Sequence, residues 1–179
     1  MLNPPSPCPE QIRQLRPWLL ALLLLTALVK LAYVFGGTHY AGYVMSDSAH
    51  YLNRARHFLE GGLPTRVDWD IYPLGASVLL AGYWWALGLV GLGGHGLETA
   101  LLLNIAAGTA MVWMVWRMAL HVTGQPRLAL ATAAVYGLFY PLVYLNAFAL
   151  SEGPAQLFFM AALLLLIEAP ALARHATAA

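Results

Sequence analysis

The chain alternates long apolar runs with short polar intervals. Its five apolar runs cover residues 18–35, 72–92, 97–120, 128–144 and 154–167. Since a helix rises about 1.5 Å per residue, about 20 apolar residues span a hydrocarbon core of about 30 Å. The last run reaches only about 21 Å, so its polar flanks would have to approach the interfaces. The pattern predicts an all-α integral membrane protein.

Composition supports this fold class. The chain has 179 residues, of which 60% are hydrophobic and 9% charged, and its mean hydropathy is +0.66. Soluble domains are nearer a quarter charged. A net charge of +1 leaves no concentrated basic face, which excludes nucleic acid as a partner. The single cysteine, Cys8, forms no internal disulfide and says little about the redox compartment.

The basic residues predict the topology. Arg13 and Arg16 precede the first apolar run, and Arg117 and Arg127 flank the connection at 121–126. By the positive-inside rule, both places and the tail with Arg174 are cytoplasmic. The run at 72–92 then cannot cross the membrane. We expect cytoplasmic tails at 1–17 and 169–179 on either side of one membrane module at 18–168. This module has about four spans, at 18–36, 97–120, 128–146 and 153–168. It also has two outer interfacial helices, at 46–61 and 73–92.

The first outer interval contains the predicted helix at 46–61. Apolar residues recur there at helical spacing, whereas Asn53, Arg54, His57 and Glu60 fall elsewhere on the helical wheel. Ser46 is suited to begin the helix, and Gly61 with Gly62 to end it. The segment is too short and too charged to span, which predicts an amphipathic helix in the interface.

Lys30 interrupts the first apolar run. It lies about 18 Å along the helix from Trp18, in the outer half of the bilayer. We expect its side chain to extend to the outer interface. The alternative is that Lys30 faces the bundle and pairs with an anion.

Several motifs follow one another in a telling order. A first span is followed by an acid that opens an amphipathic helix ending in Gly-Gly, and then by Tyr-Pro-Leu-Gly at 72–75, which opens a glycine-rich apolar helix. An Asn-containing span, a Gly-bearing turn and an aromatic-Pro span leading to Leu150-Ser151-Glu152 complete it. This order resembles the N-terminal part of the GT-C superfamily over roughly residues 18–167. These membrane glycosyltransferases use polyprenyl-phosphate-linked sugars and include protein O-mannosyltransferases, aminoarabinose transferases and lipopolysaccharide-core sugar transferases.

The resemblance implies a catalytic pair. The acid of the family's first outer loop is its catalytic carboxylate, and Asp47 matches it. Glu152 matches a second acid of the same outer site. In the related oligosaccharyltransferases that loop holds two acids and a divalent metal. A divalent metal is therefore the one cofactor that the resemblance would allow. Here Gly153 and Pro154 follow Glu152 in place of a second acid, and we assign no metal.

Other polar residues are candidates for binding the substrate. The lipid-phosphate leaving group needs cationic partners, for which the outer-side candidates are Arg54, Arg56 and Arg66. Asp70, in Asp68-Trp69-Asp70, and Tyr72 are further candidates. Each has a simpler alternative: the arginines as contacts to anionic lipid or solvent, Asp47 as a helix cap, Glu152 as a helix start, and Asp70 as a solvated loop residue.

The expected function is therefore transfer of a sugar from a polyprenyl-phosphate donor on the outer face of a membrane. The family's core has more spans than this chain, so we expect an N-terminal portion that is inactive alone, with a second polypeptide as one source of the rest. Eight arginines against one lysine suggest a bacterial inner membrane. The alternative function is a small non-enzymatic membrane scaffold or assembly subunit.

Overall fold

The structure is a computed structural model that describes residues 9–37, 46–62, 74–92, 94, 96–149 and 152–176. Within these ranges the chain is helical and contains no strand. Its helices are α1 (Pro9–Leu31), continued by a π-helix (Ala32–Gly37), α2 (Ser46–Leu59), α3 (Leu74–Leu89), α4 (Leu97–Thr123), α5 (Pro126–Leu138), α6 (Tyr140–Leu145) and α7 (Glu152–Ala176).

The predicted class, a helical membrane protein, is confirmed at the level of its long apolar helices. Three segments are long and apolar enough to cross a membrane: Pro9–Gly37, Leu97–Thr123 and Glu152–Ala169. Helix α3 is also apolar but has only 16 residues.

The outermost helices extend beyond the predicted spans. Helix α1 begins at Pro9, within the predicted tail, and includes Pro17. The added segment is rich in Glu, Gln, Leu and Arg, which favour helix, and Arg13 lies 3.8 Å from Glu10 one turn away. Helix α7 begins at Glu152 and runs to Ala176, so the last helix is longer than its apolar run.

The predicted span at 128–146 is not one continuous helix. Helix α5 ends at Leu138, Phe139 is extended (φ −65°, ψ 115°), and α6 begins at Tyr140. The cause is Pro141, which has no backbone N–H to donate and whose ring would collide with the carbonyl of Gly137 in an unbroken helix.

Helices α4 and α5 form a tight antiparallel hairpin. Gly124 follows α4 with φ 64° and donates its N–H to the carbonyl of Leu120, the left-handed end that glycine adopts readily. Pro126 then starts α5, where its fixed φ suits a first helical turn. Helix α1 packs against both members of the hairpin, so these three helices form the centre of the bundle.

The helix directions follow from neighbouring side chains. Thr26 of α1 meets Val112 of α4 at Gly137, and one turn later Lys30 lies beside Gly108, so α1 and α4 are antiparallel. Near Gly153, the start of α7 approaches the first half of α4, and further along α7 contacts the last turns of α4. Helices α4 and α7 are therefore parallel, and the start of α7 lies at the same end of the bundle as the end of α1.

Helices α2 and α3 pack together at that end. Their buried faces have matching spacing: Ser48, Tyr51, Leu52 and Ala55 in α2, and Ser77, Leu80, Ala81 and Trp84 in α3. This confirms the predicted apolar face of α2 over its first three turns. The predicted placement of Arg54 away from that face is wrong, because Arg54 is only 4% exposed. It follows Tyr51 by one turn and so lies within the contact.

Trp84 shows how α3 is fixed to α4. Its side chain is fully buried, and its indole N–H donates to Thr99 Oγ1 at 2.8 Å. Thr99 Oγ1 also lies 2.9 Å from the carbonyl of Gly96. The neighbouring Trp85 is exposed. Of these two adjacent tryptophans, only Trp84 is therefore part of the core.

Candidate functional site

A polar cavity lies inside the bundle where α1, α4, α5, α6 and α7 meet. We call it the Lys30 cavity. The volume that the centre of a water-sized sphere can occupy is about 20 Å³, which is room for about one water molecule. Its lining residues are Lys30, Asn104, Gly108, Met111, Tyr136, Leu142, Leu145, Asn146, Glu152, Gly153 and Gln156.

Lys30 faces the bundle, and the expected extension of its side chain to the outer interface is wrong. The residue is 2% exposed. Thr26, one turn earlier, is fully buried, so the two polar interruptions of the first apolar run share the face of α1 that packs on α4. That spacing of four residues is the sequence signal for the inward orientation. Among the described residues, no carboxylate lies within 4.0 Å of the Lys30 ammonium.

Gly108 leaves the space that the polar groups occupy. A Cβ on Gly108 would lie 2.5 Å from Asn146 Oδ1 and 2.7 Å from Lys30 Nζ. The side-chain ends of Lys30 and Asn146 therefore fill the position that any larger residue would take. In the sequence, the only sign of this close approach is a glycine within a helix. The glycine cannot be interpreted until the residues that face it are known.

Two buried asparagines present their oxygens to this region. Asn104 donates its amide N–H to the carbonyl of Phe148, and Asn146 donates to the carbonyl of Leu142. These bonds assign the amide orientations. They leave Asn146 Oδ1 beside Gly108 and Asn104 Oδ1 3.4 Å from the position of a Cβ on Gly153. Both asparagines lie in predicted spans. The partner of Asn104 is 44 residues away in the sequence, whereas the partner of Asn146 is one turn earlier.

The two predicted acids open two helices. Glu152 is the first residue of α7, is exposed, and lines the Lys30 cavity. Asp47 is half-buried in the first turn of α2 and interacts with other residues there. Each acid therefore lies beside the backbone N–H groups of a first helical turn, which have no partner within the helix.

A second small cavity links the surroundings of the two acids. It also measures about 20 Å³ and is lined by Tyr51 of α2, Pro154 of α7 and Asn104 of α4, together with residues of α3. Tyr51 lies one turn after Asp47, and Pro154 two residues after Glu152. Asn104 therefore shares one cavity with Tyr51 of α2 and Pro154 of α7.

The predicted arginines fall in different environments. Arg54 is buried in the helical contact described above. Arg56 is exposed and donates to Asn53 Oδ1 at 3.3 Å. Arg66, Asp70 and Tyr72 lie outside the described residues. Within the described part of the chain, no group of three or more His, Cys, Asp or Glu side chains could hold a metal ion.

A charged cluster at the opposite end was not predicted. Arg117 donates to Glu168 Oε1 through its Nε at 2.9 Å and through a second guanidinium nitrogen, and His121 Nε2 lies 3.1 Å from the same oxygen. The Arg117 guanidinium carbon also lies 5.9 Å from the centre of the Trp113 ring. Arg117 and His121 are one turn apart in the sequence, but only the parallel packing of α4 and α7 reveals their partner.

Comparison of the chain with protein-family models, with curated proteins and with solved structures finds no match in any of the three. The function is therefore argued from the residues of this chain.

Proposed function

We propose that this chain belongs to a membrane glycosyltransferase that takes a sugar from a polyprenyl-phosphate donor, with Asp47 and Glu152 as its carboxylates. The observation that carries the proposal is the position of the two acids. Each lies in the first turn of a helix. Asn104 lines one cavity with Glu152 and a second with Tyr51, one turn after Asp47. Two carboxylates, one to stabilise the transition state and one to act as base, are suited to such a reaction.

The proposed topology has four crossings. Helices α5 and α6 together cover residues 126–145, which amounts to about 30 Å and matches a bilayer core despite the break at Phe139. The antiparallel order of α1 and α4 and the parallel order of α4 and α7 support this count. With a cytoplasmic N-terminus, Asp47 and Glu152 face the outer side of a bacterial inner membrane.

The proposed chemistry divides between the two acids. Glycosyl transfer passes through an oxocarbenium-like transition state, which a nearby carboxylate stabilises, while a base takes the proton of the acceptor. Both cavities are too small for a sugar, so the sugar would bind where the exposed Glu152 reaches the surface. Arg56, an exposed cation that also donates to Asn53 Oδ1, would contact the lipid phosphate.

The test is a transfer assay in membranes of the native host. The native transferase that contains this chain is expressed in cells that lack the native gene, as the wild type and with Asp47→Asn or Glu152→Gln. Their membranes receive polyprenyl phosphate that carries a radiolabelled sugar. Removing an acid–base group should lower transfer by about 100-fold or more. The control is Glu98→Gln, an exposed acid in the first turn of α4, which should retain transfer. Equal transfer by all variants would refute the assignment.

A membrane scaffold is the second candidate, and the small cavities favour it. Neither cavity admits more than about one water molecule. A scaffold predicts that the chain purifies in a stable complex with a partner, and that neither Asp47→Asn nor Glu152→Gln changes the yield of this complex or any transfer. The same set of variants therefore separates the two functions.

A further inference from the structure

Lys30 is the only lysine of the chain, and its side chain is almost completely buried. An ammonium has three N–H donors and no acceptor. Inside a membrane bundle a charged group is costly unless it finds acceptors and a counter-charge. The Lys30 cavity is therefore the place where the bundle has to compensate a charge.

The atoms that face Lys30 are suited to an ammonium. One N–H of each of Asn104 and Asn146 is engaged by a backbone carbonyl, and each side-chain oxygen can act as an acceptor. Asn146 Oδ1 and Lys30 Nζ both lie within 2.7 Å of one point, the position of a Cβ on Gly108. The lining thus places an amide acceptor close to the ammonium.

The counter-charge is the carboxylate of Glu152. Among the described residues that line the cavity, Glu152 carries the only acid side chain. The other titratable lining residue is Tyr136, whose hydroxyl donates to Met111 Sδ at 3.6 Å. Since no described carboxylate lies within 4.0 Å of the ammonium, a direct ion pair is not formed. The cavity has room for about one bridging water.

We infer that Lys30 is a positioning residue for Glu152: a water-bridged pair between ammonium and carboxylate holds the first turn of α7 against α1. The pair connects the only buried cation of the first helix to the acid that opens the last one. The inference rests on the proposed function only for what the positioned carboxylate then does. The pairing itself requires no substrate.

The single lysine allows a direct measurement. The full chain is purified in detergent with ¹⁵N-lysine, so the side-chain amine contributes one resonance. Glu152→Gln should move this resonance, because the ammonium loses its counter-charge. The control Glu98→Gln removes an acid that does not line the cavity and should leave it in place. An unmoved resonance in Glu152→Gln, or an equal movement in both variants, overturns the pairing.

Thermal unfolding gives a second measurement that does not depend on activity. Glu152→Gln alone leaves a buried ammonium without its counter-charge and should lower Tm by about 4 °C or more. In a Lys30→Met background the same substitution should change Tm by less than about 1 °C, because Glu152 is exposed and remains solvated. Equal losses in both backgrounds overturn the pairing.

Transfer kinetics separate this inference from the proposed function. If Glu152 is catalytic, Lys30→Met should lower kcat about tenfold and leave KM for the donor unchanged, since the carboxylate is present but poorly placed. If the Tm loss of Glu152→Gln depends on Lys30 but transfer is unaffected by Glu152→Gln, the pair is supported and the proposed function is refuted. If the Tm loss does not depend on Lys30 but Glu152→Gln abolishes transfer, the proposed function is supported and the pair is refuted.

Discussion

Gly137 of α5 lies against side chains of both α1 and α4, and Gly137→Ala tests that packing. A Cβ there would lie 2.6 Å from Thr26 Cγ2 and 3.0 Å from Val112 Cγ2. Both neighbours are fully buried and β-branched, and a β-branched side chain has little freedom to rotate in a helix. The added methyl group can therefore be accommodated only if α1, α4 and α5 move apart.

The size of the effect follows from two opposing terms. Overpacking a dense core costs about 1–3 kcal/mol, whereas alanine is favoured over glycine within a helix by about 1 kcal/mol. The 2.6 Å contact lies in the severe part of the overpacking range, about 2–3 kcal/mol. We therefore expect a net destabilisation of about 1–2 kcal/mol, which lowers Tm by about 3–6 °C for a chain of this size. Thermal unfolding in detergent, followed by tryptophan fluorescence, measures it.

Two further variants make this prediction specific. Thr26→Ser removes the nearest methyl group but keeps the hydroxyl that donates to the carbonyl of Leu23, so Thr26→Ser with Gly137→Ala should recover most of the lost stability. Gly82→Ala, in α3, has no atom within 4 Å of its new Cβ and should leave Tm unchanged or raise it. The reasoning fails if Gly137→Ala is as stable as the wild type, or if Thr26→Ser restores nothing.

Two other contacts give predictions that the same unfolding assay checks. Glu168→Gln removes the negative charge that accepts hydrogen bonds from Arg117, and it should lower Tm by about 2–4 °C. The loss should be smaller in high salt, because both side chains are partly exposed. A loss independent of salt would show that this contact does not stabilise the protein through its charges. Trp84→Phe removes a buried indole donor worth about 1 kcal/mol, whereas Trp85→Phe, at an exposed position, should be neutral; equal effects would show that the hydrogen bond contributes nothing.

Local chemistry explains why much of the helical order was predictable. The apolar runs account for three long helices, and the apolar spacing in 51–55 identifies the buried face of α2. The turn between α4 and α5 has its signals in the sequence, because Gly124 ends one helix and Pro126 begins the next. Pro141 is also the sequence signal for the break at Phe139. A prediction from apolar content alone does not detect this break, because the run at 128–144 stays apolar across it.

The candidate site was less predictable, because its members come from four distant parts of the chain. Asp47 and Glu152 were placed by their position at helix starts and by the family resemblance, and their roles stay predictions. The predicted orientation of Lys30 is wrong, because a lysine that extends to the interface and a lysine buried in the bundle give the same hydropathy pattern. The spacing of Lys30 from Thr26 distinguishes the two orientations only when the packed face of α1 is known.

The sequence by itself determined that this is a helical membrane protein, where most helices lie, and that α2 has one apolar face. These properties follow from hydropathy, period and turn chemistry, which act within a few residues. Only the tertiary structure decided that Lys30, Asn104, Asn146 and Glu152 surround one cavity. It alone also decided which partners Arg117 and Trp84 have. Such contacts depend on helix direction and on where glycine permits close approach, and neither is encoded in any single segment.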